Sequence, residues 1–165
     1  MNSMSSGFRN KKRTRTSYYL FSIMATAGYS GTPLLKKLGI KPNMKVLLIN
    51  QPDNYYNLIK TNIINQLCRK NEIPDFIHLF AATEKEFITE MKKLKNVCKK
   101  NTSITIWVSW FKKAALRQAQ GKLATDITED TIRNYALKND LVDVKVCAVS
   151  DVWSGLKLVV PLSKR

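Results

Sequence analysis

Three short and nearly continuous apolar runs predict strands that are buried on both faces. They are Met44–Ile49, Phe76–Phe80 and Ser103–Trp110. Two further segments, Val142–Val149 and Leu156–Val160, lie near the end of the chain and are joined by turn-forming residues. The first of these alternates between apolar and polar positions, which is typical of a strand with one buried face. Together the two segments predict an antiparallel hairpin.

Helical spacing of apolar residues fills the intervals between these strands. Tyr56, Ile59, Ile63 and Leu67 recur at the spacing of one helix face. Thr83 with the carboxylate three residues later forms a capping box, in which each side chain satisfies a free backbone N–H of the first turn. Helices are therefore predicted over residues 34–38, 55–69, 83–100 and 128–139, the last one capped by its first threonine.

The alternation of strands and helices predicts an α/β fold of the Rossmann-like class. We expect a mostly parallel sheet flanked by helices, with the antiparallel C-terminal hairpin at one edge. The closing order, in which a helix is followed by a hairpin of two strands, is a pattern of S-adenosylmethionine methyltransferases. Residues 28–165 are expected to form one domain, since the whole chain has only 165 residues.

Residues 1–27 are predicted to be a basic, disordered extension.

 They carry five basic residues and no acidic one before position 24, without helical or strand periodicity. Residues 11–27 also imitate a signal peptide, but their apolar part is short and is broken by Ser22 and Thr26. This favours a disordered extension, or an upstream start codon that precedes a natural start at Met24.

The charge of the chain suits an anionic partner, although the excess is local. Twenty-eight basic residues against 12 acidic ones give a formal charge of +16. Residues 85–122 hold ten basic and two acidic residues, whereas residues 123–160 hold four and six. We therefore expect only weak, nonspecific binding of nucleic acid. No apolar run reaches the roughly 18 residues of a membrane helix, and three widely spaced cysteines favour a reducing, cytoplasmic setting.

Several ordered motifs resemble those of a family of small bacterial proteins known only as a domain of unknown function. The resemblance covers about residues 28–160. The matching segments are Gly28–Leu34, Lys37–Pro42, Ile77–Phe80, Trp107–Trp110, Thr125–Asp130, Leu141–Val149 and Trp153–Leu158. The resemblance implies a Rossmann-like, methyltransferase-related fold and no assigned activity. Phe111 stands where that family usually has proline.

The turn after the first strand lacks the features of a cofactor grip. Dinucleotide and S-adenosylmethionine sites use glycines here to let backbone N–H groups approach the ligand. Residues 50–54 contain no glycine, and Pro52 removes a donor. We therefore expect no cofactor. His78, the single histidine, lies within a predicted buried strand, which favours a core residue over a general base. The cysteines lack metal-site spacing, so no metal is expected.

The carboxyl edge of the predicted sheet gathers the candidate ligand-binding residues, because open α/β sheets bind ligands there. A polar loop at the start of the body is expected to fold over this edge as a lid. The edge residues are Asn50, Thr83, Trp110, Lys112 and Lys113, and the lid residues are Tyr29, Ser30 and Thr32. They predict a pocket for a small anionic ligand, with a lysine as charge partner.

The leading interpretation is a non-catalytic binding or accessory domain. An enzyme that holds S-adenosylmethionine or a nucleotide by an unusual grip is an alternative, and a basic protein associated with nucleic acid is a second one. The sequence predicts no oligomeric state.

Overall fold

The computed structural model describes residues 31–118 and 125–165. The proposed extension, residues 1–27, lies outside these ranges. The strands within them are β1 (Val46–Ile49), β2 (Phe76–Phe80), β3 (Thr105–Phe111), β4 (Val142–Ala148) and β5 (Trp153–Val159). The α-helices are α1 (Leu34–Leu38), α2 (Tyr55–Ile59), α3 (Glu84–Lys100), α4 (Lys113–Gln118) and α5 (Glu129–Lys138). Short 3₁₀ turns cover Ile64–Gln66 and Leu162–Lys164.

The strands form one mixed sheet in the order β1-β2-β3-β5-β4. The pairs β1–β2 and β2–β3 are parallel, and the pairs β3–β5 and β5–β4 are antiparallel. Four strands therefore point the same way and β5 alone is reversed. The prediction of a mostly parallel sheet is confirmed in part. Four of the five strands run in the same direction, but only two of the four strand pairs are parallel.

The predicted hairpin forms, but its second strand lies inside the sheet rather than at the edge. Leu156 and Leu158 of β5 are fully buried, whereas Val144 and Val146 of β4 are 55% and 44% exposed. A β-bulge follows Asp143 and breaks the alternation that predicted a continuous apolar face on β4. The expectation of one buried face along β4 is therefore wrong beyond the bulge.

Helices cover both faces of the sheet, and each face has its own apolar core. On one face α3 and α5 bury residues that include Phe87, Met91 and Ile132. On the other face α1 and α2 pack with the large side chains Tyr55 and Trp107. Strand β2 is buried at every position, as its continuous apolar run predicted. Burial of each large apolar side chain contributes about 1.5–3 kcal/mol to folding.

The helix predicted over residues 55–69 is wrong, because α2 ends at Ile59. Lys60 has a φ of 53°, a left-handed conformation that an α-helix cannot continue through. Ile59 and Ile63 are still both buried, although a turn rather than a helix carries the second one inward. The buried tyrosine is Tyr55, while Tyr56 is 36% exposed. The apolar spacing therefore identified Ile59 and Ile63 as buried positions. It did not distinguish one long helix from a short helix followed by a turn.

The chain after this turn returns to the free edge of β1. Leu67 forms an isolated parallel bridge with Val46, and the N–H of Cys68 donates to the carbonyl of Val46 at 2.9 Å. This contact satisfies part of the backbone of an edge strand. Leu47, Leu48 and Ile49 of β1 are nevertheless only partly buried, so the burial on both faces that the apolar run predicted is wrong for this strand.

Both predicted helix caps are confirmed. Thr83 forms a reciprocal capping box with Glu86 at the start of α3. Thr128 forms one with Thr131 at the start of α5. Helix α4 was not predicted, because its segment carries mainly polar and small residues without an apolar stripe.

Gly155 permits the closest packing between β5 and its neighbours. A Cβ atom at this position would lie 2.9 Å from Cγ2 of Val149, and 3.2 Å from both Oγ of Ser109 and Cε3 of Trp107. Valine is stiff about χ1 and the other two side chains are buried, so none of the three can withdraw easily.

We expect Gly155→Ala to lower the free energy of unfolding by about 1–3 kcal/mol, because it overpacks this contact. Urea denaturation measures the change. Gly31→Ala is the matched control, since nothing lies within 4 Å of its Cβ position. Equal stability of the two variants would contradict the overpacking argument.

Candidate functional site

The carboxyl ends of β1, β2 and β3 lie at one edge of the sheet. The parallel register aligns Ile49, Leu79 and Val108 across the three strands. Asn50 therefore lies at the same edge as the end of β3, which contains Trp110. Asn50 is exposed and has a φ of 54°, in the left-handed region.

The N-terminus of α3 is occupied by the chain's own oxygen atoms. Oδ1 of Asp126 accepts from the N–H of Glu84 at 2.7 Å, and Oγ1 of Thr83 accepts from the N–H of Glu86 at 3.2 Å. Oε2 of Glu86 accepts from the N–H groups of Ala82 and Thr83 at 2.9 and 3.3 Å. A ligand anion at Thr83 would have to displace these carboxylates. The role predicted for Thr83 stays a prediction.

The aromatic residues at the end of β3 point to opposite faces of the sheet. Trp110 is 8% exposed and belongs to the core beneath α3 and α5. Phe111 belongs to the other core, where its ring stacks on Trp153 with centroids 4.0 Å apart. The residue that replaces the proline of the resembled family is therefore part of an aromatic stack.

Lys112 is anchored between β3 and the turn that joins β4 to β5. Its backbone N–H donates to the carbonyl of Val152 at 2.8 Å. Burial lowers the pKa of its ammonium group, and the nearby Asp151 and Cys147 oppose this effect. Lys113 is exposed at the start of α4.

The predicted lid is described only at Thr32, which is exposed. Tyr29 and Ser30 lie outside the described residues. Neither of the two cavities found among the described residues is lined by Thr32, Asn50, Thr83, Trp110, Lys112 or Lys113. The pocket predicted at this edge therefore stays a prediction.

Sequence reasoning missed two lysines that the fold brings toward Lys112. Nζ of Lys145 donates to the carbonyl oxygen of Lys37 at 3.3 Å, although 108 positions separate them. Burial raises the pKa of the Cys147 thiol, while Lys145, Lys37 and Lys112 all act to lower it. All three lysines therefore act on one half-buried thiol, and we call Lys37, Lys112 and Lys145 the lysine surface. No sequence pattern links Lys37 to Lys145, since 108 positions separate them.

A buried polar chain crosses the core beneath α1 and α2. Oη of Tyr55 lies 3.0 Å from Nδ1 of His78, and Nε2 of His78 lies 2.8 Å from Oγ of Ser109. All three residues are inaccessible to solvent. The ring of His78 also stacks on Phe80 with centroids 4.3 Å apart. We define the polar chain as Tyr55, His78 and Ser109.

Burial fixes the protonation of the polar chain. It lowers the pKa of His78 to about 3 and raises the pKa of Tyr55 well above its usual range. A neutral imidazole has one donor and one acceptor nitrogen, so one hydroxyl donates to the ring and the other accepts from it. His78 is thus a core residue, as expected, but it is held by side chains rather than by backbone.

Within residues 31–118 and 125–165, no group of three or more histidine, cysteine, aspartate or glutamate side chains is arranged to hold a metal ion. No helix in the same ranges combines the length and the apolar character needed to cross a membrane. Cys68, Cys98 and Cys147 are free thiols of intermediate burial.

Comparison with solved structures gives a partial likeness in fold. No protein-family model and no curated protein matches the chain. The motif resemblance to a domain of unknown function therefore stays an inference from the motifs. A crystal structure described as a protein in the NADB-Rossmann superfamily from Streptococcus agalactiae is 11% identical, with a TM-score of 0.45. The likeness covers 79% of this chain and 69% of that chain.

The polar chain predicts a pH-dependent stability. Between pH 6.5 and about 3 the unfolded chain binds a proton at His78 that the folded chain does not bind. The free energy of unfolding should therefore fall on acidification below pH 6.5, by about 1.4 kcal/mol per pH unit. Urea denaturation between about pH 5 and 7 isolates this effect, because the chain has one histidine and ordinary carboxylates titrate lower.

His78→Gln is the control for this measurement. It should be less stable at neutral pH by about 1–3 kcal/mol, because a buried hydroxyl loses its partner. It should also lose the slope, because glutamine does not titrate. A slope that survives in the variant would assign the pH dependence to other groups.

Proposed function

We propose that this chain is a binding domain rather than an enzyme, and that it takes an anionic partner on the lysine surface. The observation that carries the proposal is the contact of the Lys145 ammonium with the Lys37 carbonyl at 3.3 Å, together with the influence of Lys112 on the same Cys147 thiol. Lysine ammonium groups are suited to phosphate and carboxylate partners. The backbone bond of Lys112 to Val152 ties this part of the surface to the turn that joins β4 to β5.

The strand order supports a Rossmann-like scaffold related to methyltransferases. The reversed strand β5 lies between β3 and β4, which run parallel to each other. This is the closing arrangement that the sequence suggested for a methyltransferase-like fold. On the other side of the sheet, the bridge of Leu67 to Val46 is all that extends beyond β1 within residues 31–118 and 125–165. The region where a cofactor's ribose is normally held is therefore reduced to one bridge.

A binding role is favoured over an enzyme because the reactive side chains of the described core are sealed. His78, Ser109 and Tyr55 have no solvent-accessible surface, so none reaches a substrate in this conformation. The turn after β1 carries Pro52 and no glycine. Both features act against the enzyme alternative.

We expect S-adenosylmethionine and NAD to bind with dissociation constants weaker than about 1 mM, because the turn offers no glycine-rich grip. Isothermal titration calorimetry on the full chain measures both. Micromolar binding of either cofactor would contradict the binding-domain proposal and favour an enzyme with an unusual grip.

The double variant Lys112→Ala/Lys145→Ala tests the lysine surface. Pyrophosphate serves as the probe, and we expect its affinity to fall at least tenfold, since charge-assisted hydrogen bonds contribute about 1.5–3 kcal/mol each. The melting temperature should hardly change, because partly exposed charges contribute little to stability. Calorimetry and thermal unfolding measure the two effects.

Lys92→Ala/Lys138→Ala removes the same charge from exposed positions on α3 and α5, and is the control. It should leave pyrophosphate binding within twofold. An equal loss in both double variants would mean that net charge rather than a site attracts the anion. The same two double variants, titrated with a random-sequence DNA duplex, test the alternative of a protein associated with nucleic acid. Nonspecific binding of DNA falls steeply with salt and depends on total charge rather than on one site.

A further inference from the structure

A pocket lies at the opposite edge of the sheet from the lysine surface. It has a volume of about 200 Å³ and opens between the C-terminal halves of α3 and α5. Thr102, which precedes β3, and Val160, which follows β5, place it at the amino ends of the parallel strands. We call it the α3–α5 pocket. It shares no residue with the lysine surface.

The floor of the α3–α5 pocket is apolar. Met91, Leu141 and Val160 line it and are between 3% and 6% exposed. Cys98 is half-buried beside them, and burial raises the pKa of its thiol, so it remains an uncharged group. Such a floor suits a short hydrocarbon chain, because it offers contact without unpaired polar groups.

The rim of the α3–α5 pocket is cationic. Lys95, Lys99 and Lys164 line it together with a single carboxylate, Asp140. Lys164 donates to Asp140, and this bond and the charge of Lys95 lower the pKa of that carboxyl. The carboxylate therefore stays ionised and offsets one lysine, so that two positive charges remain in excess.

Helix ends explain only part of this charge. The C-terminus of a helix carries a partial charge of about −0.5, whose influence is limited to the last turn. Lys99 lies in the last turn of α3, but Lys95 lies earlier and Lys164 belongs to another segment. The excess of lysine around an apolar floor is therefore not required by the helices.

The hydroxyl of Tyr135 completes the polar side of the pocket. Its ring packs edge-on against Phe87 with centroids 5.1 Å apart, which fixes the position of the ring. Burial, followed by the neighbouring Cys98, raises the pKa of the hydroxyl, so it remains a donor. In the described part of the chain no side chain or backbone group hydrogen-bonds to it.

We propose that the α3–α5 pocket binds a short-chain amphiphilic carboxylate. The hydrocarbon chain lies on the apolar floor, and the carboxylate accepts from Lys95, Lys99 and the Tyr135 hydroxyl. The volume is smaller than the roughly 300–1,000 Å³ of sites for drug-sized ligands, which restricts the occupant to a short chain. The apolar floor does not suit a bare anion, and the cationic rim does not suit a neutral lipid. Together they favour a ligand that has both a hydrocarbon chain and a carboxylate.

Octanoate, n-octanol and inorganic phosphate are the probes for this site, measured by calorimetry on the full chain. Octanoate should bind at least tenfold more tightly than either of the others, since only it matches both floor and rim. Equal binding of octanoate and n-octanol would overturn recognition of the carboxylate. Equal binding of octanoate and phosphate would overturn the role of the floor.

Substitutions then locate the site. Lys95→Ala/Lys99→Ala should weaken octanoate at least tenfold, and Tyr135→Phe should weaken it severalfold while keeping the ring packing. Lys92→Ala/Lys100→Ala removes the same charge from exposed positions of the same helix and should have no effect. The variants of the lysine surface should also bind octanoate normally, so failure of one proposal is distinguishable from failure of the other. Equal losses in the two α3 double variants would overturn the assignment.

Alkylation of cysteines gives an independent readout. Saturating octanoate should slow the reaction of Cys98 with iodoacetamide severalfold, because the ligand covers the thiol. Cys68 and Cys147 lie outside the pocket lining and should react at unchanged rates. Mass spectrometry of each cysteine peptide measures the three rates. An unchanged rate at Cys98 would overturn the location of the site.

Discussion

The polar chain of Tyr55, His78 and Ser109 is the constraint on which the core beneath α1 and α2 depends. Three side chains with polar atoms are buried there, and each loss of a partner would leave a costly unsatisfied group. The polar chain joins α2 to β2 and β2 to β3. It therefore fixes the position of α2, a five-residue helix that could not be stable alone. Gly155 is part of the same arrangement, because its missing side chain leaves room beside Ser109.

A second buried hydrogen bond fixes the other short helix. Nε1 of Trp107 donates to the carbonyl of Leu38 at 2.9 Å, which ties the end of α1 to the centre of the sheet. Gly39 then takes a φ of 79° and closes the helix, a conformation that glycine adopts without strain. On the opposite face Asp126 and Thr128 secure the starts of α3 and α5.

The sequence predicted the elements whose signals are local. Strand β2 and the two capped helices follow from a continuous apolar run and from reciprocal side-chain bonds within four residues. The end of α2 at Lys60 and the bulge after Asp143 could not be predicted, because tertiary packing rather than local preference selects them. The partners of His78 were equally out of reach, since they come from positions 23 and 31 residues away.

The candidate site was less predictable than the fold for the same physical reason. Lys112 and Asn50 were predicted to lie together because residues that follow parallel strands share an edge. Lys37 and Lys145 were not, because an α-helix at one end of the chain and a strand near the other end have no sequence relation. Thr83 shows the opposite case. The helix start predicted at Thr83 is confirmed. The carboxylate of Asp126, 42 residues after Glu84, already accepts from the N–H of Glu84 at this helix start.

Charge placement separates residues that serve folding from residues that do not. At the start of α3 the chain supplies its own carboxylates, which stabilise the positive end of the helix. On β4, by contrast, Lys145 lies directly opposite Lys157 of β5, a like-charge pair that destabilises the sheet. In a chain of formal charge +16 such a pair adds to a general repulsion rather than relieving it. Positions that break a local rule are where function is expected, and Lys145 of this pair belongs to the lysine surface.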